Sequence, residues 1–421
     1  MRLGGQHYAG LPWDNQRRSL WIWHRLVQHW RHRLKIVDVR ELSVKLISSG
    51  ANAVVNFDGH TVSFIALITD QRRNGRPVFG AAFNSIGRFG QPGILRDRMI
   101  PRLLAAEPDA LLADSGIELD PAKLLQTIMA GEKPGGHGDR ATAAAAIELA
   151  AWDLNARLHD EPAATTIARA TGMPVHATSI PVYAAGGYYR SGSDQHDIRD
   201  ELSRYRDQGF THFKIKIGGL SLAEDLQRIQ QAVEFAGDGA LIAVDANGRF
   251  DLTTALAYAE ALAPLKLRWY EEPADPLDYA LNASVCERYS GAVATGENLF
   301  SLSDVNNLLR FAGLRPEQDI LQMDPGLSYG ITEYLQMVAA IENAGFGRNQ
   351  CIPHGGHLIN LHVVAGLGLG GCEAYPSVFQ PVGGFSDCAK VKDGHLQMGG
   401  APGFGLEQKA SLRPILEQLV G

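Results

Sequence analysis

Four ionisable side chains recur along this chain at nearly constant spacing. Lys216 stands 29 residues before Asp245, Asp245 stands 26 before Glu271, and Glu271 stands 26 before Glu297. Each closes a short β-branched or aromatic run, in HFKIKIGG, AVDANGRF, RWYEEPADP and VATGENLF. A strand, a helix and the return loop together take about 30 residues. The four residues therefore fall at the same point of successive β/α units. In a closed parallel barrel that point is the C-terminal rim, where active sites of this fold lie. Three carboxylates converging on one rim repel each other unless a hard cation sits between them. Mg²⁺, which takes oxygen ligands and keeps positions for water or substrate, suits such a set. Asp245, Glu271 and Glu297 are the expected metal ligands.

The surrounding pattern extends the same repeat. Runs at 180–185, 212–217, 241–246, 267–272, 292–297, 319–324, 350–354 and 372–376 read as strands, and amphipathic stretches such as 222–236, 252–263 and 331–344 read as helices between them. The expected fold class is α/β, a modified (β/α)8 barrel of the TIM type over 178–383. Ahead of it, 34–165 reads as an α+β capping domain. KIVDVRELSVKLI and TVSFIALITD alternate as strands, Asn74-Gly75 makes a hairpin turn into RPVFGAAF, and helices follow at 97–107, 121–130 and 139–158. The Gly- and Pro-bearing tail, 384–421, holds no further β/α unit and is expected to return to the capping domain and complete it.

The strand ends carry the chemistry. Lys214 and Lys216 are two apart on one strand and share a face. Two lysines directed into a barrel need partners. A lysine beside a cation and a second lysine is expected to have a lowered pKa, which makes it a usable base. Lys216 is taken as that base, with Lys214 holding the substrate carboxylate. Across the barrel, Asp324 and His354 end neighbouring strands, and a carboxylate behind an imidazole fixes its tautomer and raises its basicity. His357 and Glu373 are further substrate-contact candidates nearby. Of the Glu271–Glu272 pair, Glu271 is expected to face inward and Glu272 the other side. A base, a cation and an Asp-backed histidine together suit proton abstraction next to a carboxylate, because the metal and Lys214 stabilise the enediolate that forms. The loop EKPGGHGDR carries Lys133 and His137 on three glycines able to approach a ligand. GLGLGG at 366–371 lacks the context of a phosphate loop and reads as packing glycines.

These motifs resemble the mandelate racemase subgroup of the enolase superfamily, through KIK at 214–216, the three acids at 26-residue intervals and the Asp324/His354 dyad, over about residues 35–421. Within it, EKPGGHG, YAAGGYY, VDANGRF, TGENLF, IPHGGH and YPSVFQP are similar to the D-tartrate dehydratase branch. The resemblance implies a Mg²⁺-dependent hydro-lyase in which Lys216 removes the α-proton and His354 acts as acid on the β-hydroxyl, the enol product tautomerising to oxaloacetate. It also implies substrate contacts from Asn52, Lys133, Tyr188 and Glu373, and often a homo-oligomer. Ile86, in FNSIGRFG, departs from the branch by standing where a second polar residue is expected. A related hydroxy-diacid or acid sugar is thus the alternative substrate, and a racemase or epimerase using the same Lys/His pair is the alternative reaction.

Composition bounds what else the chain could do. A net charge of −7 argues against a nucleic-acid binder, and no run is long and apolar enough to span a membrane. Cys286, Cys351, Cys372 and Cys388 show no paired spacing, as expected of idle thiols in a cytoplasmic protein. Residues 1–33 differ, with four of the six tryptophans, six arginines and Asp14 as the sole acid. They read as an extension outside the fold, disordered or from a misassigned start. A non-catalytic role for this basic arm, on lipid or RNA, is the competing reading from another class.

Overall fold

A computed structural model describes residues 33–48, 50–174, 179–189 and 198–421. The basic N-terminal stretch read as an extension, and most of the first crossover loop, lie outside the described residues. Strands β1 (Ile36–Lys45), β2 (Thr61–Arg73) and β3 (Arg76–Phe83) form an antiparallel sheet in the order β1-β2-β3. Asn74 and Gly75, both at positive φ (51° and 79°), make the tight turn between β2 and β3, as hairpin geometry demands. Helices α1 (Pro121–Ile128) and α2 (Gly138–Leu158) follow a short helical run at 92–105. The alanines of α2 let its backbone lie close on β3. A Cβ on Gly80 would collide with the Ala150 carbonyl oxygen and with Leu154.

A parallel ladder then runs in chain order through β4 (Ser179–Gly186), β5 (Phe213–Lys216), β6 (Ile242–Asp245), β7 (Trp269–Glu271), β8 (Val293–Thr295) and β9 (Ile320–Leu321). Leu321 next bridges Cys351 in parallel. The Gly370 amide donates to the Cys351 carbonyl at 3.0 Å, and β10 (Cys372–Ala374) pairs in parallel with β4. The parallel order thus runs from β10 through β4 to β9 and on to Cys351. The seventh expected strand, 350–354, is reduced to the single bridge at Cys351, although the Ile352 and His354 amides still donate to the Leu321 and Gln322 carbonyls at 2.9 and 3.2 Å. Helices α4 (Ile198–Asp207), α5 (Leu222–Ala236), α6 (Leu252–Leu262), α7 (Tyr279–Arg288), α8 (Leu302–Phe311), α9 (Ile331–Asn343) and α10 (Leu358–Leu367) alternate with these strands.

Inside the ring, Tyr183, Ala243, Trp269, Ala294 and Ile352 form a separate apolar layer. Helix α3 (Ala163–Thr171) crosses the expected domain edge at 165, and it packs on both α2 and α10. Gly366 permits that packing, since a Cβ there would sit 2.8 Å from Ile167; the GLGLGG run is indeed used for close contacts. In the tail, β11 (Val391–Lys392) and β12 (His395–Gln397) form a hairpin that adds antiparallel to the start of β4. Helix α11 (Arg413–Val420) then reaches the N-terminal sheet, where Arg40 Nη1 donates to the Leu419 carbonyl at 2.9 Å. Among the described residues no helix is long and apolar enough to cross a membrane. The four cysteines are free, and only Cys388 is exposed.

Candidate active site

Strand register places the first three site residues at one level. Lys216 pairs with Asp245, and Asp245 pairs with Glu271, across β5, β6 and β7. Glu297 joins them from just beyond β8. Gly296, at φ +125°, lets the chain turn there, and a Cβ on it would crowd Met323 and the Gln322 amide. One carboxylate oxygen each from Asp245, Glu271 and Glu297 lies within 4.8 Å of the others. Glu297 Oε2 is buried without a hydrogen-bond partner, an orphan that a cation would satisfy. Three converging hard oxygen donors with no thiolate or imidazole among them fit Mg²⁺.

Two buried lysines hold these acids together. Lys216 Nζ donates to Asp245 Oδ2. Lys214 Nζ lies 2.5 Å from Glu271 Oε1, 2.8 Å from Glu373 Oε1 and 3.7 Å from Asp245 Oδ2. Below them Trp269 Nε1 and Gln322 Nε2 donate to Glu271 Oε2 at 2.7 and 2.9 Å. The Glu271 carboxyl is pushed up by burial and by Asp245. Burial opposes the Lys216 ammonium, but the Asp245 carboxylate overrides it and the pKa rises. The lowering expected from the sequence rested on a cation and a second lysine; Lys214 does act in that direction, but the Asp245 carboxylate outweighs it. Lys214 is buried under the site among three carboxylates and is not among the residues that line the cavity.

On the opposite wall, His354 Nδ1 is 3.1 Å from Asp324 Oδ2. Asp324 is itself held by the Gly326 amide at 2.8 Å and Asn360 Nδ2 at 3.1 Å. His354 Nε2 lies 3.1 Å from the Tyr375 hydroxyl, which donates to Glu373 Oε2 at 2.9 Å. Since the Tyr375 proton goes to Glu373, His354 satisfies both neighbours when it carries a proton on each nitrogen. Burial works against that charge, but Glu297 and Asp324 outweigh it and raise the pKa to about 9.

A cavity of about 150 Å³ lies over this constellation. Lys216, Glu297 and His354 line it from the ring of strands, while Asn52 and Phe57 from the loop after β1, and Ile86 and Arg88 from the loop after β3, cover it. Tyr188 lines it too, with Lys216 Nζ 5.4 Å from its ring centre. Asn52 has its side-chain oxygen engaged by the Val54 and Val55 amides, so only its amide nitrogen remains for a ligand. Ile86 is buried and contributes an apolar wall, as its residue type implies.

Other candidates lie elsewhere. Lys133 sits on an exposed loop whose Lys133 and Gly135 carbonyls accept from Arg140, and it is not part of the cavity wall. His137 of the same loop pairs with the Tyr329 hydroxyl at 3.0 Å. His357 is a buried N-cap of α10 bonded to Ser85 at 2.9 Å, and burial lowers its pKa to about 4. Glu373 stands beneath the cavity as the shared partner of Lys214 and Tyr375. Glu272, expected on the far face, turns into the cavity instead. The strand ends at Glu271 and Glu272 takes φ +39°, which breaks the alternation. Asn298 donates to both of its oxygens at 2.9 and 3.0 Å. Tyr375, Asn298, Asn247 and Arg88 were not singled out from the sequence. Tyr375 alone carried a signal there, being two residues after Glu373 on the same strand face.

A family model described as Enolase C-terminal domain-like matches residues 197–412, a little over half of the chain. The chain belongs to the enolase superfamily. Among curated relatives, a 3,6-anhydro-alpha-L-galactonate cycloisomerase of Streptomyces coelicolor is 32% identical over 55% of this chain and 60% of its own length, so the match spans less than two thirds of that relative. An L-talarate/galactarate dehydratase of Salmonella typhimurium is 26% identical over 81% of this chain and 80% of its own. An arabinonate dehydratase of Saccharolobus solfataricus is 28% identical over 62% and 68%. Among solved structures, a racemase from Streptomyces coelicolor with bound magnesium superposes with a TM-score of 0.68 at 23% identity, covering 89% of this chain and 96% of that one. The Salmonella dehydratase liganded with Mg and L-lyxarohydroxamate gives 0.69 at 23% identity, covering 87% and 88%. These likenesses establish a shared enolase-superfamily fold with an N-terminal cap.

Proposed function

We propose that this protein is a Mg²⁺-dependent dehydratase of a hydroxy-diacid or acid sugar, with D-tartrate the substrate its sequence motifs favour. One observation carries the reading: a single small cavity is lined by Lys216, by the doubly bonded His354 and by Glu297, whose carboxylate converges with those of Asp245 and Glu271. Two of the curated relatives are acid-sugar dehydratases, which supports the reaction class. We read 34–165 as the cap and 178–383 as an eight-unit barrel around this cavity.

Mg²⁺ held by Asp245, Glu271 and Glu297 would supply positive charge where negative charge develops on the substrate carboxylate. Lys216 Nζ, once it has given up its proton against the pull of Asp245, takes the α-proton. His354, holding its proton at Nε2, passes it to the β-hydroxyl, which leaves as water. Asp324 keeps the imidazole oriented through Nδ1 and favours its charged form beforehand. The enol that remains tautomerises to a 2-keto acid, oxaloacetate in the case of D-tartrate. Lys214 neutralises Glu271 and Glu373 from below, and the apolar faces of Ile86 and Phe57 restrict water over the reacting carbons.

The test is a panel of acid sugars and the three tartrate stereoisomers with Mg²⁺, read as 2-keto acid formation. We expect keto acid from at least one diacid, lost with EDTA and lowered by about 10²- to 10⁴-fold or more in Lys216→Ala. Deuterium entering an unconverted acid from D₂O, with no keto acid from any member, would replace this reading with racemisation.

A further inference from the structure

A second cavity, of about 540 Å³, lies apart from the active site and shares no lining residue with it. It is enclosed by the residues just past α4, by the β11–β12 hairpin and by the segment that follows β10. One stretch of chain separates the two spaces. Tyr375 and Phe379 line the active-site cavity, while Ala374, Pro376 and Gln380 line this one. Phe210, Ala374 and Leu396, all buried, give the second cavity an apolar lining.

Set into this wall is Lys409, in the tail before α11, a cation short of partners. It is 8% exposed. Its ammonium makes one hydrogen bond among the described residues, to Gln380 Oε1 at 3.2 Å, and no ion pair. An ammonium carries three donors, so two remain. Gln380 is a fixed acceptor, because its Nε2 donates to the Gly383 carbonyl at 3.1 Å and its backbone exchanges two hydrogen bonds with Ile47. The other charged residues of the wall, Asp387 and Lys390, are both exposed, and Asp387 accepts from the Ala410 amide at 2.8 Å. Burial lowers the Lys409 pKa, against a smaller opposing pull from Asp387. A buried cation with spare donors carries a free-energy cost. An anion entering the cavity would offset it by supplying an acceptor and a counter-charge together. Concave spaces of several hundred Å³, apolar in part and with a few placed polar groups, are the usual form of a small-molecule site. One buried cation matches one carboxylate, and a bare inorganic anion would leave the apolar lining uncovered.

We infer that this cavity is a second ligand site, for a small monocarboxylate with an apolar body, its carboxylate on Lys409 and its body against Phe210 and Leu396. The assignment goes beyond the dehydratase reading and does not depend on it.

The test is calorimetric titration of the full chain with benzoate and with its neutral isostere benzamide. The protein is EDTA-treated, so that the catalytic carboxylates have no cation with which to hold a probe. Benzoate should bind about 10- to 100-fold more tightly than benzamide, as a charge-assisted hydrogen bond requires. Lys409→Met should bring the two probes within about twofold of each other, and Lys409→Arg should keep part of the preference. In NMR spectra of the wild type, benzoate should shift the Gln380 side-chain amide signals and leave those of the His354 ring in place. That measurement needs no variant and decides the matter even if Lys409→Met fails to fold. Absence of benzoate binding, equal affinity for the two probes, or shifts at His354 in place of Gln380 would overturn the assignment. So would a preference that survives in Lys409→Met protein melting like wild type.

Discussion

At the residue scale, His354 shows how neighbours set a proton's address. Burial alone would empty its charge, yet Glu297 and the Asp324 bond hold it protonated up to about pH 9. The charged form is therefore present below that pH and lost above it. Titrated by NMR in EDTA-treated protein, His354 should show a pKa near 9, falling below about 8 in Asp324→Asn. Added Mg²⁺ should lower it as well, by cancelling the pull of Glu297. A pKa near 6.5 in the metal-free wild type would mean that the dyad does not hold the acid form. Lys214 teaches the complementary lesson. A lysine with three carboxylates around it and almost no exposed surface is a counter-charge, whatever its distance from the base in sequence.

At the element scale, the Ala-rich helix α2 (Gly138–Leu158) joins the cap to the ring. Glu148, buried in its middle, accepts from the Ile331 and Thr332 amides, each at 2.8 Å, and so caps the N-terminus of α9. Burial pushes its carboxyl up in opposition to those bonds. Its other face lies so close to β3 that Gly80 has no room for a side chain. Gly80→Ala should therefore cost about 1–3 kcal/mol of stability by overpacking, read as a lower denaturation midpoint with an unchanged slope. A neutral result would show that the helix can move off the sheet. The alanine run made this helix visible in the sequence. Its buried Glu148 gave no signal, because the partner amides are more than 180 residues away.

At the scale of the whole molecule, the site draws on segments far apart in the chain, from Asn52 to Phe379. Ligation at the carboxylate cluster should therefore stabilise the assembled fold. A ligand at a hundred times its Kd adds about 2.7 kcal/mol, so the midpoint of thermal unfolding should rise with Mg²⁺ concentration. Glu297→Gln should weaken that dependence with little effect on the melting of metal-free protein. A Mg²⁺ response that survives the substitution undiminished would place the cation elsewhere.

The sequence alone determined the repeat, and with it the parallel strands, the converging carboxylates of Asp245, Glu271 and Glu297, and the Asp324/His354 pair. All of these follow from local periodicity, because side chains at equivalent points of equal-length units must meet on one rim. Tertiary structure decided which neighbours share the cavity. It buried Lys214 and His357, left Lys133 outside, turned Glu272 inward at a positive φ, and brought Arg88 in from the loop after β3. Those outcomes depend on contacts between segments distant in sequence, and spacing along the chain carries no record of them.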